Sequence, residues 1–370
     1  MSKKIKVCHI TSIHPSGDTR IFVKECTSLA AAGYDVYLVA TNTTNAVING
    51  VRIVNAGIRH SNRILRMIFT SRMVYDKAVS MDADIYHFHD PELIPHALKL
   101  IKRGKKVIYD VHEDIPRQIL AKYYIPGFLR KIISKIIERK ENNAARKFSW
   151  IITATPFIRD RFLHFNSKVT EVCNFPVHTE LNSATPYLSR PKQVCYVGSI
   201  TKARGILEMV EAMDGLPYEL HLCGSFSPES LREKAKVLPG WKQVVEHGYA
   251  SRLKVKEVLD RSRVGLVTLH PIINYVDAYP VKMFEYMVAG IPVIASDIKL
   301  WKDIVDSSRA GICVNPYKPS EIKKAIVSVM ENEDIAQLMS VNGMKAVEEH
   351  FNWSNEEKKL LAIYHKLAQA

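Results

Sequence analysis

The chain contains no long apolar run. Its hydrophobic stretches, such as Ile291–Ala295, have the length of a buried strand. They fall well short of the ~18–20 residues that cross a bilayer, which excludes a multi-span membrane protein. The first residues, Met1 to Val7, hold no apolar segment ahead of the first strand, so no secretory leader is expected. Clustered cysteine is missing too. Cysteines 8, 26, 173, 195, 223 and 313 are scattered singly, without a CxxC or a Cys/His group at metal-ligand spacing. Free thiols, a cytoplasmic location and no metal site are therefore expected. Neither GxGxxG nor GxxxxGK[ST] occurs, so dinucleotide-fingerprint and P-loop chemistry are not indicated. Helix-turn-helix, zinc and RNP motifs are also absent, and the cations do not interleave with an aromatic platform. No nucleic-acid partner is expected.

Acidic charge is scarce in one half only. Residues 1–190 carry 29 basic and 16 acidic groups, a balance of +13; residues 191–370 carry 23 and 22, a balance of +1. A one-sided basic field suits an anionic partner such as a membrane surface or a phosphorylated substrate. The rest of the composition is ordinary. With 370 residues, 47% hydrophobic and 24% charged, the chain has material for two soluble domains.

Short β-rich runs alternate with helical patterns throughout. In the first half the runs are Ile5–Ile10, Val36–Ala40, Val51–Val54, Ile85–Phe88, Lys106–Tyr109, Trp150–Thr153 and Val169–Cys173. Helices are expected at Arg20–Ala32, Asn62–Ser80, Glu92–Lys102 and Pro156–Leu163, with a long helical region over Ile115–Phe148. Residues 182–191 are polar and proline-bearing, as linkers are. The alternation then restarts and runs to a last helix, Ser354–Leu367. The pattern predicts an α/β protein with two doubly wound parallel sheets, one over residues 1–185 and the other over 186–353.

In open α/β sheets, ligands sit beyond the carboxyl ends of the strands. The residues that follow strands are therefore the candidates. After the first strand comes Ser12–Arg20, where Gly17 permits a tight turn and Asp18 or Thr19 can cap the next helix. His112 follows Lys106–Tyr109, at a position suited to hydrogen-bonding or acid/base work. His87 and His89 stand at the end of a similar strand and read as cleft-lining residues or, by preference, as satisfied helix-start groups. In the second half, Lys202 and Arg204 stand just before a helix, an arrangement that suits a pyrophosphate. Asp277 and Glu285 stand eight residues apart, one ahead of a helix that Pro280 starts and one inside it. Glu285 lies among Met283, Phe284, Met287 and Val288, so its carboxylate needs a partner; a sugar hydroxyl is a good one. Asp82-Ala-Asp84 mimics a metal-binding DxD but precedes a strand and reads as a turn.

Taken in order, these pieces resemble the retaining glycosyltransferases of family 4, which have the two-domain GT-B fold. The resemblance spans essentially the whole chain. It rests on the Gly17 loop, His112, the glycine-then-cation loop Gly198–Arg204, the acid pair Asp277/Glu285 with Ala289–Ala295 behind it, and the closing Phe351-Asn-Trp353. It implies that residues 354–370 pack back onto the N-terminal domain. It implies that Glu285 holds the nucleotide ribose and that Asp277 lies near the donor sugar's hydroxyls. Arg204 falls where the family has a pyrophosphate-binding Lys, and Ser199 where it has an Arg, with Lys202 as the compensating cation. The amides of Val281, Lys282 and Met283 match the pyrophosphate cradle. Gly17 and His112 match groups near the diphosphate and the sugar, and Gly224 and Tyr249 match nucleobase positions. The implied reaction is metal-independent transfer from a nucleotide sugar, UDP-linked by family habit, to an acceptor hydroxyl. A donor-binding inactive subunit and a nucleotide-sugar epimerase of the same fold are the alternatives.

Two basic stretches mix cations with apolar residues. One, residues 59–72, includes Arg63 and Arg66; the other, residues 123–140, includes Arg130, Lys131 and Lys135. Such helices lie on anionic membranes when their apolar groups are exposed. A lipid-linked glycan acceptor of cell-surface polysaccharide assembly, met at the inner face of the membrane, is the expected partner.

Overall fold

The computed structural model describes residues 4–122 and 125–369. Tyr123, within the second basic stretch, lies outside them. The chain divides into two compact units. One is Met1–Asn174 together with Trp353–Ala370, and the other is Phe175–Asn352. Residues 182–191 belong to the second unit, where Tyr187 is buried and donates its hydroxyl to the Arg263 carbonyl.

The first unit is built on eight strands: β1 (Lys6–Ile10), β2 (Asp35–Ala40), β3 (Ala46–Ile48), β4 (Val51–Asn55), β5 (Ile85–Phe88), β6 (Lys106–Val111), β7 (Trp150–Thr153) and β8 (Val169–Glu171). Their order across the sheet is β3-β4-β2-β1-β5-β6-β7-β8. Every pairing is parallel except β3 with β4. Strand side chains alternate between faces. Cys8, Ile10, Tyr86, Phe88 and Tyr109 therefore share one apolar face, where Phe88 stacks on Tyr109 at 4.6 Å. Their neighbours His9, His87 and Asp110 share the opposite face and are fully buried.

The second unit holds β9 (Gln193–Val197), β10 (Glu219–Cys223), β11 (Val244–Gly248), β12 (Val264–Val267), β13 (Val293–Ser296) and β14 (Gly311–Val314), all parallel, in the order β11-β10-β9-β12-β13-β14. Val194, Tyr196, Leu220, Leu266 and Ile294 anchor its core. Chain order reverses between β9 and β12 in this sheet and between β1 and β5 in the other. Those switch points are where doubly wound sheets open a crevice for ligands.

Some helices differ from expectation. The region 115–148 is two helices, Ile115–Leu120 and Gly127–Ala145, because Pro126 cannot continue a helix and starts a new one. The helix after β1 begins with wide turns, Thr19–Cys26, before Thr27–Ala31. Asp18 is its cap, accepting from the amides of Arg20 and Ile21. The last helix, Trp353–Gln369, belongs to the first unit: the Trp353 indole donates to Ser28 at 3.0 Å, and Glu356 accepts the Cys173 amide at 2.8 Å. Asp82 turns the chain with φ 46°, and Asp84 accepts the Lys6 amide, so that acidic pair is a turn. No helix of the described residues is long and apolar enough to cross a membrane.

Candidate active site

In the second unit, the loop after β9 and the helix Val281–Val288 build a cationic corner. Gly198 adopts φ +123°, which a side chain would strain. A Cβ there would stand 3.0 Å from Arg204 Nη1 and 3.2 Å from Lys282 Nζ. The two cations therefore converge over a bare glycine. Arg204 is steadied by the Ser199 carbonyl at 3.3 Å. Lys282 Nζ lies 3.6 Å above the Tyr196 ring, is buried, and has no hydrogen-bond partner. Burial and the neighbouring Arg204 push its pKa well below the usual lysine value. The helix is pinned to the end of β9 by Tyr286, whose hydroxyl accepts the Val197 amide at 2.8 Å. Its start carries no side-chain cap.

This geometry places four of the expected residues differently. The second cation beside Arg204 is Lys282; Lys202 is exposed. The Met283 amide already bonds the Pro280 carbonyl at 2.9 Å, and its side chain is in the core. That leaves the amides of Val281 and Lys282 at the uncapped helix start. Gly224 has a packing reason to be glycine: its Cβ would fall 1.9 Å from the Gly198 carbonyl. It thus allows the β10 loop to support the Gly198 turn. Tyr249 is not gathered with the others; its side chain is 90% exposed.

Glu285, one turn into the helix, is mostly buried and pairs with Arg252 at 2.8 Å. Arg252 also binds Glu180. The apolar surroundings of Glu285 demand a partner, and here it is an arginine that the motifs do not single out. Its position is a usable signal, because Arg252 opens the helix after β11, again at a strand's carboxyl end. Asp277 sits in the loop between β12 and the helix, where the Trp301 indole holds the next carbonyl, Ala278, at 2.7 Å. Tyr279 packs in the same loop against Phe175 and Phe284.

In the first unit, Asp90 organises the loop after β1, accepting from the Thr11 hydroxyl at 2.9 Å and the Ser12 amide at 2.6 Å. Gly17 stands in that loop, and a Cβ added to it would meet nothing within 4 Å, so space is open above it. His14 reaches toward Asp18 and Asp90; burial opposes its proton, but the two carboxylates raise its pKa overall. His112 is partly exposed, and its Nε2 lies 2.8 Å from Asp110 Oδ2. Asp110 is fully buried, yet Arg20 and His112 outweigh the burial and hold its carboxyl well below the usual range. Arg20 grips it with two bonds of 3.0 and 2.8 Å. His87 and His89 are neither helix-start groups nor cleft-lining ones. Both are buried: His87 bonds Tyr364 at 2.8 Å and His89 bonds Asp110 at 3.1 Å.

The cations expected on the acceptor side divide. Arg66 pairs with Glu92, and Arg130 donates to the Leu120 carbonyl. Arg63, Lys131 and Lys135 are exposed. So are their apolar neighbours, with Ile64 and Phe128 each 67% exposed and Ile68, Phe69, Ile132 and Ile136 about half so. These residues do not face the core.

Comparison with known proteins agrees with this architecture. Residues 16–179 match the family model described as Glycosyltransferase Family 4, and residues 180–346 match Glycosyl transferases group 1. The phosphatidyl-myo-inositol mannosyltransferase of Mycobacterium leprae is 22% identical over 78% of this chain and 75% of its own. Among solved structures, sucrose-phosphate synthase from Thermosynechococcus elongatus superposes with a TM-score of 0.79 at 17% identity, covering 99% of this chain and 100% of the other. Anabaena HepE in complex with UDP-glucose gives 0.72 at 12% identity, with 99% and 100% covered. With two family models together spanning residues 16–346 and a doubly wound sheet in each unit, the chain belongs to the family 4 glycosyltransferases.

Proposed function

We propose that the chain transfers a sugar from a UDP-sugar, with retention at the anomeric carbon, to a hydroxyl of a lipid-linked glycan in cell-surface polysaccharide assembly. The observation that carries the donor half is the unpartnered, buried Lys282 Nζ beside Arg204. A buried cation without a counter-charge is costly, and a diphosphate is the anion that two converging cations and a helix start accommodate. The uridine nucleotide draws support from the complexes of structural neighbours with UDP and UDP-glucose.

In this reading Arg204, Lys282 and the amides of Val281 and Lys282 stabilise charge as it develops on the leaving diphosphate. Because those groups supply the positive charge, the departure calls on no divalent ion. Glu285 takes the ribose hydroxyls, exchanging part of its hold on Arg252. Asp277 takes sugar hydroxyls. In the first unit, His112, oriented by Asp110, and the open space above Gly17 are the groups offered to a substrate. Thermal melts with UDP, GDP and ADP, each with and without magnesium, test the donor. A ligand that binds the folded state raises the melting temperature by mass action. The expected result is a shift with UDP that magnesium does not enlarge. A flat response to all three would overturn the donor assignment.

The acceptor half is supported by the exposed apolar residues flanked by cations in residues 63–69 and 128–136. Vesicle co-sedimentation tests it. Each lysine near an anionic surface contributes about 1 kcal/mol. Lys131→Glu with Lys135→Glu should therefore reduce binding to phosphatidylglycerol vesicles at least ~10-fold. Arg66→Ala should leave it near wild type, since Arg66 is already engaged by Glu92. Equal binding by the double variant and wild type would return this surface to an ordinary solvated face.

A further inference from the structure

Four side chains remote in sequence meet inside the first unit: His9 from β1, His87 from β5, His89 just beyond it, and Glu25 from the helix after β1. One ligand atom from each lies within 4.8 Å of all the others, and all four residues are buried. We infer that these four residues form a binding site for a single zinc-class divalent ion that stabilises the first unit and takes no part in sugar transfer.

The first argument is orientation. Each imidazole has one ring nitrogen held from behind and turns the other to the centre, where His9 Nδ1 and His89 Nε2 meet each other at 3.0 Å and His87 Nε2 has no hydrogen-bond partner. His9 Nε2 and His87 Nδ1 both meet the Tyr364 hydroxyl, at 3.2 and 2.8 Å. That oxygen has two lone pairs and can accept both N–H groups. His89 Nδ1 meets Asp110 at 3.1 Å. Metal-ligating histidines are held in this way, with a carboxylate or other acceptor fixing the tautomer. Asp110 is in turn clamped by Arg20.

The second argument is the state of the inward atoms. His87 Nε2 and both Glu25 oxygens are buried without a hydrogen-bond partner. Arg20 Nε lies 3.1 Å from Glu25 Oε1, but its hydrogen goes to Asp110. Orphaned polar atoms in a sealed interior are uncommon and call for an explanation. A cation at their centre would provide one.

The distances suit a small ion. Ligand atoms around tetrahedral zinc sit about 3.3 Å apart, given metal–ligand bonds of about 2.0–2.2 Å. Here His9 Nδ1 is 3.0 Å from His89 Nε2, and Glu25 Oε2 is 3.9 Å from His9 Nδ1 and 4.0 Å from His87 Nε2. Modest side-chain shifts would equalise them. Three imidazoles and a carboxylate favour zinc, cobalt or nickel over magnesium or calcium.

The site is sealed, so the ion enters as the chain folds. Protein purified without chelator should carry about one zinc-class ion per chain by elemental analysis. Chain unfolded with EDTA and refolded with Co2+ should retain one ion, show the visible absorption of tetrahedral cobalt, and melt higher than chain refolded without metal. Glu25→Gln and His87→Gln should lose the retained cobalt. Tyr364→Phe, which keeps the ring, should weaken retention about 10-fold or more, the usual effect of removing a supporting partner. His247→Gln, in the other unit, should match wild type. A folded chain that is ion-free as purified and takes up no cobalt on refolding would overturn the inference. So would cobalt retention that Glu25→Gln and Tyr364→Phe leave intact.

Discussion

Replacing Lys282 by methionine should raise the melting temperature of the ligand-free chain while abolishing its response to UDP. The Lys282 ammonium is buried without a hydrogen-bond partner, and Arg204 adds repulsion. An apolar side chain of similar length removes that cost and keeps the packing over Tyr196. A gain of about 1–2 kcal/mol would raise the melting temperature by several degrees in a unit of this size. Binding should weaken about 100-fold, because a charge-assisted contact to phosphate is worth about 1.5–3 kcal/mol. The proton balance gives an independent check. A lysine with a lowered pKa binds fewer protons when folded than when unfolded, so it makes ligand-free stability rise with pH in that window. A diphosphate restores the ammonium. UDP binding should therefore take up a proton and weaken as pH rises through the bound-state pKa. Calorimetry in two buffers of different ionisation enthalpy reads that uptake, and Lys282→Met should eliminate it. Undiminished UDP binding by this variant would remove Lys282 from the site.

Glu285→Ala should cost at least about 100-fold in kcat/KM without unfolding the protein, the scale for losing hydrogen bonds to a charged group. The fold should survive because Arg252 keeps its contact with Glu180 and the helix keeps Phe284, Tyr286 and Met287 in the core. A ribose hydroxyl has no such substitute. Turnover with a UDP-sugar and a glycan acceptor, at matched melting temperature, decides the matter. Near-wild-type turnover would leave Glu285 as no more than a partner for Arg252.

The architecture is legible because a parallel sheet covered on both faces reads as short apolar runs, such as Val264–Thr268 and Pro292–Ala295, spaced by helical patterns. What those runs do not show is the break at Pro126-Gly127 or the short antiparallel edge strand Ala46–Ile48. Strand ends locate Gly198, Arg204, Asp277, Glu285 and His112, since ligand positions follow from topology. Side-chain direction is not legible. The sequence offers Lys282 for its amide, and only the turn at Gly198 shows that its ammonium points to Arg204. The histidine group is hidden for a different reason. His9 and His87 are 78 positions apart and meet only because β1 and β5 pair in register.

The C-terminal helix gives the chain an unusual order of assembly. The Ser28 hydroxyl, the Cys173 amide and the paired His9 and His87 all find partners on Trp353, Glu356 and Tyr364. The Lys106 ammonium is likewise taken by the Leu367 carbonyl. On the ribosome, the first 174 residues must therefore wait through the synthesis of an entire second unit before their own interior can close. During that interval buried histidines and an apolar helix groove stand open to water and to chaperones. A nascent chain stalled before residue 353 should be far more sensitive to protease in its first half than the released protein is.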